Sequence, residues 1–136
     1  AAWNPVMPLN QLENLDILVP DSVPYKEPRP LLEKTLGENK FIQKRYLSIM
    51  TELLRKYFNE ETMNQQIDSI ALRIRVSVYA DVNKMYSNTE FDTNINTTVG
   101  DPLDPGNFIP GLKSFIAARR KSIEKQIDEL NKKLGD

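Results

Sequence analysis

Four cations crowd a short stretch near the end of the chain: Lys113, Arg119, Arg120 and Lys121, with no acid between Gly111 and Ile123. Such a cluster could grip phosphate. Glu124, Asp128 and Glu129 follow at once and cancel most of the field. A solvated helix face, with one Arg turned inward to a carboxylate, is therefore the simpler reading. Asp101, Asp104 and Asn107 place oxygens at steps of three. A calcium loop of the EF-hand type needs ligands at every second position and a distant Glu, so the prolines here fit a rigid turn better. Asp81, Asn83 and Lys84 read as a helix end with its turn rather than as a polar site. Glu60 and Glu61 diverge on a helix, which makes them a poor acid–base pair but a good first turn. Trp3, the sole tryptophan, could be a stacking platform for a sugar or base; an anchor in a core or interface is the commoner role.

The composition removes whole classes of chemistry. The chain has 136 residues, no cysteine and no histidine. Disulfides and thiolate metal sites are impossible, and no Ser–His or Cys–His pair can form within it. Against 18 basic residues stand 19 acidic ones, for a net charge of −1. That is not the strongly basic footprint of a nucleic-acid-binding domain. No apolar run approaches the roughly 18 to 20 residues of a membrane span, and no signal peptide opens the chain. The five glycines, Gly37, Gly100, Gly106, Gly111 and Gly135, are scattered and build no phosphate cradle. The opening Ala-Ala-Trp lacks an initiator Met, as expected of a chain processed or cut from something longer.

The elements that must position these residues read as helices after an irregular arm. Residues 1–29 are rich in proline, yet carry Trp3, Val6, Met7, Leu9, Leu12, Leu15, Ile17, Leu18 and Val19. Proline favours extended backbone, while so many apolar side chains argue against a disordered linker. The arm is expected to lie over a hydrophobic surface, with one helical turn over Leu12 to Leu18. Pro30 suits a first helical position and Gly37 a stop, with Leu31, Leu32 and Leu36 inward. Phe41, Ile42, Tyr46, Ile49, Met50, Leu53, Leu54 and Tyr57 then recur at steps of three and four, behind a possible cap at Asn39. Met63, Ile67, Ile70, Ala71, Ile74 and Val78 form a third stripe, capped by Asn59. "RIRVSVYAD" within it alternates like a strand, but the continuous helical period favours helix. Ser87 and Glu90 make a capping box for a weaker helix marked by Phe91, Ile95 and Val99 and stopped by Gly100. "GDPLDPGN" is a loop. From Pro110, a last helix shows Leu112, Phe115, Ile116, Arg119, Ile123, Ile127, Leu130 and Leu134 on one face. The fold class is all-α, with about five helices after the arm, and residues 30–136 form one helical unit.

Taken in order, "NPVMPLNQLEN", "PLLEKTLGENKFIQKRYLSIMTELLRKYFNEETMNQQIDSIALRIRVSVYADVNKMYS" and "FIPGLKSFIAARRKSIEKQI" resemble the C-terminal third of the CotH kinase family, named for a spore coat protein. The family's Asp-x-x-Lys-aromatic segment falls on Asp81, Lys84 and Tyr86. Its closing helix, entered through Leu-Lys-x-Phe-Ile and carrying an Arg, falls on Leu112, Lys113, Phe115, Ile116 and Arg119. The resemblance implies the C-terminal helical subdomain of a protein kinase-like fold, part of a larger domain. In full-length form it implies transfer of phosphate from ATP, with a divalent metal (Mg or Mn), to serine on secreted or spore-coat proteins. The family's catalytic acids, including an Asp-x-Asp metal motif, belong to an upstream segment that these residues do not include. No catalytic, cofactor-binding or metal residue is therefore assigned, and the chain alone is expected to be inactive. The expected partners are the rest of its own kinase-like domain and, for the full-length protein, coat or secreted substrates; nucleic acid and a membrane span are not expected. The implied location is the spore coat, the exterior or the cell surface. An independent helical module that docks a coat or cell-surface partner is the alternative.

Overall fold

The computed structural model describes residues 7–18 and 30–135, without the side chain of Leu31. Trp3, Val6 and Val19, expected to lie over an apolar surface, fall outside the described residues.

Among the described residues the architecture is helical with one minimal sheet. α1 spans Leu9–Glu13, earlier than the turn expected over Leu12 to Leu18. Extended Pro8 (ψ 153) starts it by accepting from the amides of Gln11 and Leu12. The next residues leave the helix because their backbone groups bond to side chains of the last helix instead. α2 (Pro30–Leu32) runs into a π-helical turn, Glu33–Gly37, so Pro30 and Gly37 bound a helical segment as expected.

Asn39 caps α3 (Lys40–Lys56), its side-chain oxygen accepting from the amide of Ile42 at 3.1 Å. Asn59 does the same for α4 (Glu60–Ala80) through Thr62, and α4 stays helical through the alternating "RIRVSVYA". Ser87 and Glu90 form the full capping box of α5 (Asn88–Asn96). Each cap satisfies amide donors that a helix start leaves without intrahelical partners. α5 is shorter than expected. Val99 lies beyond it in β1 (Val99–Gly100), which pairs antiparallel with β2 (Phe108–Ile109), Val99 facing Ile109. The expected loop is the connection of this hairpin. α6 (Leu112–Gly135) follows.

α6 is the element that α1, α3, α4 and α5 share, and α4 also packs on α5. The main core joins Leu47 and Leu54 of α3 to Ile123, Ile127 and Leu134 of α6, with Ile17 of the arm between them. Ile116 is buried as well.

Two expected faces need correction. On α3, Phe41 is 81 % exposed and Tyr57 68 %, and Ile49 and Leu53 also face outward, while Leu47 is 1 % exposed. The buried line is Gln43, Leu47 and Leu54, with Tyr46 and Met50 partly buried beside it, rotated from the expected stripe. Gln43 goes inside because its amide nitrogen donates to the carbonyls of Leu36 (2.5 Å) and Gly37 (3.0 Å). A polar group satisfied in this way can be buried at little cost, and it closes the end of the π turn. On α4 only Ala71 of the expected stripe is fully buried; Ile70 and Ile74 are exposed.

Candidate functional site

The closing helix is where the charged residues converge, and its partners are mostly backbone. Arg119 donates to the carbonyls of Glu13 and Leu15. Gln126, two turns on, donates to the carbonyl of Leu15 at 3.1 Å and accepts from the amide of Ile17 at 3.0 Å. The hydroxyl of Tyr46, on α3, donates to the carbonyl of Ile17 at 2.8 Å. Residues 14–17 form no helix or strand after α1, so these side chains replace the partners a ladder would supply. Burial pulls the Arg119 guanidinium below its ordinary pKa, while Tyr46 and Asp16 act in the other direction. Burial pushes the Tyr46 phenol up, opposed by Arg119 and helped by Asp16.

Arg120 does the same work at the end of α3. One of its nitrogens donates to the carbonyls of Leu54 and Phe58, and another pairs with Glu124 at 2.6 Å. Carbonyls of a last helical turn lack intrahelical donors, and a cation there also meets the negative end of the helix dipole. Lys113 pairs with Asp68 of α4 at 2.6 Å. Lys121 is exposed. The expected inward Arg exists twice over, but it meets backbone carbonyls rather than a carboxylate in the case of Arg119. An open groove of about 520 Å³ beside Arg120 is lined by Arg55, Glu124 and Asp128 among others. Its mixed charge is a poor match for a phosphate.

The remaining candidates resolve into local structure. The side-chain oxygen of Asp81 accepts from the amide of Asn83 at 2.9 Å, and Lys84 donates to the Asp81 carbonyl at 3.0 Å. This is a turn that ends α4. Asp101 accepts from the amide of Leu103, and Asn107 donates to Asp104, so that loop closes on itself. Among the described residues no three His, Cys, Asp or Glu side chains gather to hold a metal. Glu60 and Glu61 lie exposed in the first turn of α4.

Sequence reasoning missed three groups. Gln43 and Gln126 are buried or half-buried glutamines that satisfy backbone; their one signal was a polar residue four positions from an apolar one on a core line. The third is a link between α4 and α5, in which Asp92 pairs with Arg75 at 3.1 Å and accepts from the hydroxyl of Tyr79. That hydrogen bond, first among the causes, raises the Tyr79 pKa.

Tyr86 lines a small cavity with Glu90, Phe91, Asn94, Val99 and Ile109, of about 200 Å³. The family-resembling segment Asp81–Tyr86 thus makes a helix-ending turn and one wall of a cavity. On α6, Lys113 pairs with α4, Ile116 is buried and Arg119 holds the first described segment.

No curated protein and no solved structure matches the chain. The family described as CotH kinase protein matches residues 13–132, a span that begins at Glu13, whose carbonyl Arg119 holds, and ends within α6. The chain belongs to the CotH kinase family.

Proposed function

We propose that this chain is the non-catalytic, C-terminal helical portion of a CotH-like protein kinase, and that α6 is its brace. The observation that carries the reading is the use of Arg119 and Arg120. Both guanidinium groups bond to backbone carbonyls of distant segments, so the helix joins parts of the fold rather than holding a phosphate. In its full-length form the protein phosphorylates secreted or spore-coat proteins on serine, with ATP and a divalent metal, at the spore coat or cell surface. The donor set of this chain does not fit that nucleotide and metal. Its inner cations have protein partners, its Asp101–Asn107 oxygens are used within their own turn, and its glycines build no cradle. Charge on the reacting phosphates therefore falls to residues outside this chain.

A second reading, an independent helical module that docks a coat or cell-surface protein, draws on the outward apolar side chains of α3 and α4: Ile49, Leu53, Ile70, Leu72 and Val76. A helix apolar on most sides belongs in contact with something. In the first reading these faces meet the rest of the kinase-like domain.

Calorimetric titration of the 136-residue chain with ATP and magnesium tests the proposal directly. No binding is expected. Micromolar affinity at physiological salt would place a nucleotide site in this chain and end the brace reading. Serine-kinase activity in a longer protein carrying this chain, lost when Arg119 is replaced together with a drop in stability, separates the first reading from the second.

A further inference from the structure

We propose that the cavity between α5 and the β1–β2 hairpin receives a guanidinium group, the arginine side chain of a partner protein. It is lined by Tyr86, Glu90, Phe91, Asn94, Val99 and Ile109. At about 200 Å³ it is smaller than the roughly 300 to 1,000 Å³ of small-molecule sites and suits one long side chain. Phe91, Asn94 and Val99 are half-buried, whereas Tyr86, Glu90 and Ile109 are exposed, so the first three make its floor and the others its mouth.

The charge of the lining has one sign. Glu90 is its only carboxylate, and no Lys or Arg lines it. One oxygen of Glu90 accepts from the amide (2.7 Å) and the hydroxyl (2.8 Å) of Ser87. These bonds hold its pKa below the ordinary glutamate value, which keeps it ionised, and they leave its other oxygen open. Asn94, four residues on and so on the same helix face, donates its amide hydrogens to the carbonyls of Ile109 (2.9 Å) and Pro110 (3.1 Å). Those bonds fix the amide and leave its oxygen as a second acceptor.

A guanidinium answers each of these features. It is planar, always charged and carries five N–H donors in a fork, which suits a carboxylate and an amide oxygen together. Its face stacks on aromatic rings, and Tyr86 and Phe91 supply them. The aliphatic stem of an arginine can cover Val99 and Ile109. An ammonium would make the ion pair but has no plane to stack. No residue of this cavity takes part in the bonds of Arg119 or Arg120, so the site stands or falls apart from the brace role of α6.

Titrating the 136-residue chain with N-acetylargininamide, followed through amide resonances by NMR, tests the assignment. Saturable shifts are expected, centred on Phe91, Asn94 and Ile109. N-acetylcitrullinamide, close in shape but uncharged, should bind several-fold more weakly. Glu90→Gln should weaken the arginine derivative about two- to fivefold, the range of a solvent-exposed ion pair, and Tyr86→Leu should weaken it several-fold through loss of the ring. Glu61→Gln, in the exposed first turn of α4, should change nothing. Gln still serves a capping box and Tyr86 is 43 % exposed, so both cavity variants are expected to fold; unchanged helical circular dichroism checks this. No saturation up to the solubility of the probe overturns the proposal, as do shifts centred elsewhere, equal binding of the citrulline derivative, or an unchanged affinity in Glu90→Gln. N-acetyllysinamide binding as tightly would make this a site for any cation and overturn the choice of guanidinium.

Discussion

Arg119 holds the carbonyl of Leu15, 104 residues earlier in the sequence. The bond ties the first described segment to the last helix and gives the basic cluster a structural use. Replacing Arg119 with Met keeps much of the stem packing but leaves the carbonyls of Glu13 and Leu15 short of a charged donor. A loss of about 1.5 to 3 kcal/mol is expected, the range for hydrogen bonds to charged groups. The denaturant midpoint measures it, and an unchanged midpoint would show that water or Gln126 suffices.

Ile123 sits in the main core with Leu47 and Leu54. Ile123→Ala should cost about 2 to 5 kcal/mol through lost burial and a residual cavity. Lys121→Ala, on the exposed side of the same helix, should change stability by less than about 0.5 kcal/mol. A binding helix predicts another pattern: a mild effect at Ile123, and salt-sensitive nucleic-acid affinity lost when Arg119, Arg120 and Lys121 are neutralised. Unfolding curves for the two single variants, with affinity read at two salt concentrations, decide between these.

The capping box of α5 gives a pH dependence with a definite sign. The backbone amide of Ser87, and then its hydroxyl, donate to the Glu90 carboxylate and hold its pKa below the ordinary glutamate value. A carboxylate so depressed contributes stability above its unfolded value and loses it as pH falls through the folded one. Ser87→Ala should therefore destabilise the chain at neutral pH, with a penalty that shrinks in acid as Glu90 protonates. Thermal melts of both proteins across the acid range give the comparison; a pH-independent difference would exclude Glu90 from the box's contribution.

Gly111 is fixed by close approach. A Cβ there would lie 2.3 Å from the carbonyl carbon of Thr97, backbone that cannot swing aside. Gly111→Ala is expected to cost about 1 to 3 kcal/mol, as overpacking does. At Gly37 an added Cβ meets nothing within 4 Å, so Gly37→Ala should be tolerated. Equal midpoints for the two variants would mean that the turn between β2 and α6 can shift.

The caps were legible because each is a local pairing of side chain and backbone. Asn39, Asn59, Ser87 and Glu90 could be read without knowing what lay across from them, and the inward line Ile116, Ile123 and Ile127 followed from period alone. The rotation of α3 was not legible. Whether Phe41 or Gln43 goes inside depends on carbonyls that Leu36 and Gly37 present from another segment, and no periodicity encodes that. The two-residue strands escaped for a similar reason, since Val99 and Ile109 are joined only by pairing across a loop. The charged residues were placed on the right helix, yet their targets were not. Backbone carbonyls of a distant segment leave no mark in a sequence, whereas a carboxylate would have.

α6 is the shared support of α1, α3, α4 and α5, and it is made after all of them. During synthesis α3 and α4 emerge before the helix they pack on, and Ile17 waits about a hundred residues before its neighbours Ile123 and Ile127 exist. Domains tend to fold as units as they leave the ribosome, and contacts distant in sequence delay that step. A ribosome that stopped before residue 112 would release helices bearing apolar faces without their support, a product for chaperones and proteases to clear. The emergence of α6, rather than of any earlier helix, is the step that lets this core close.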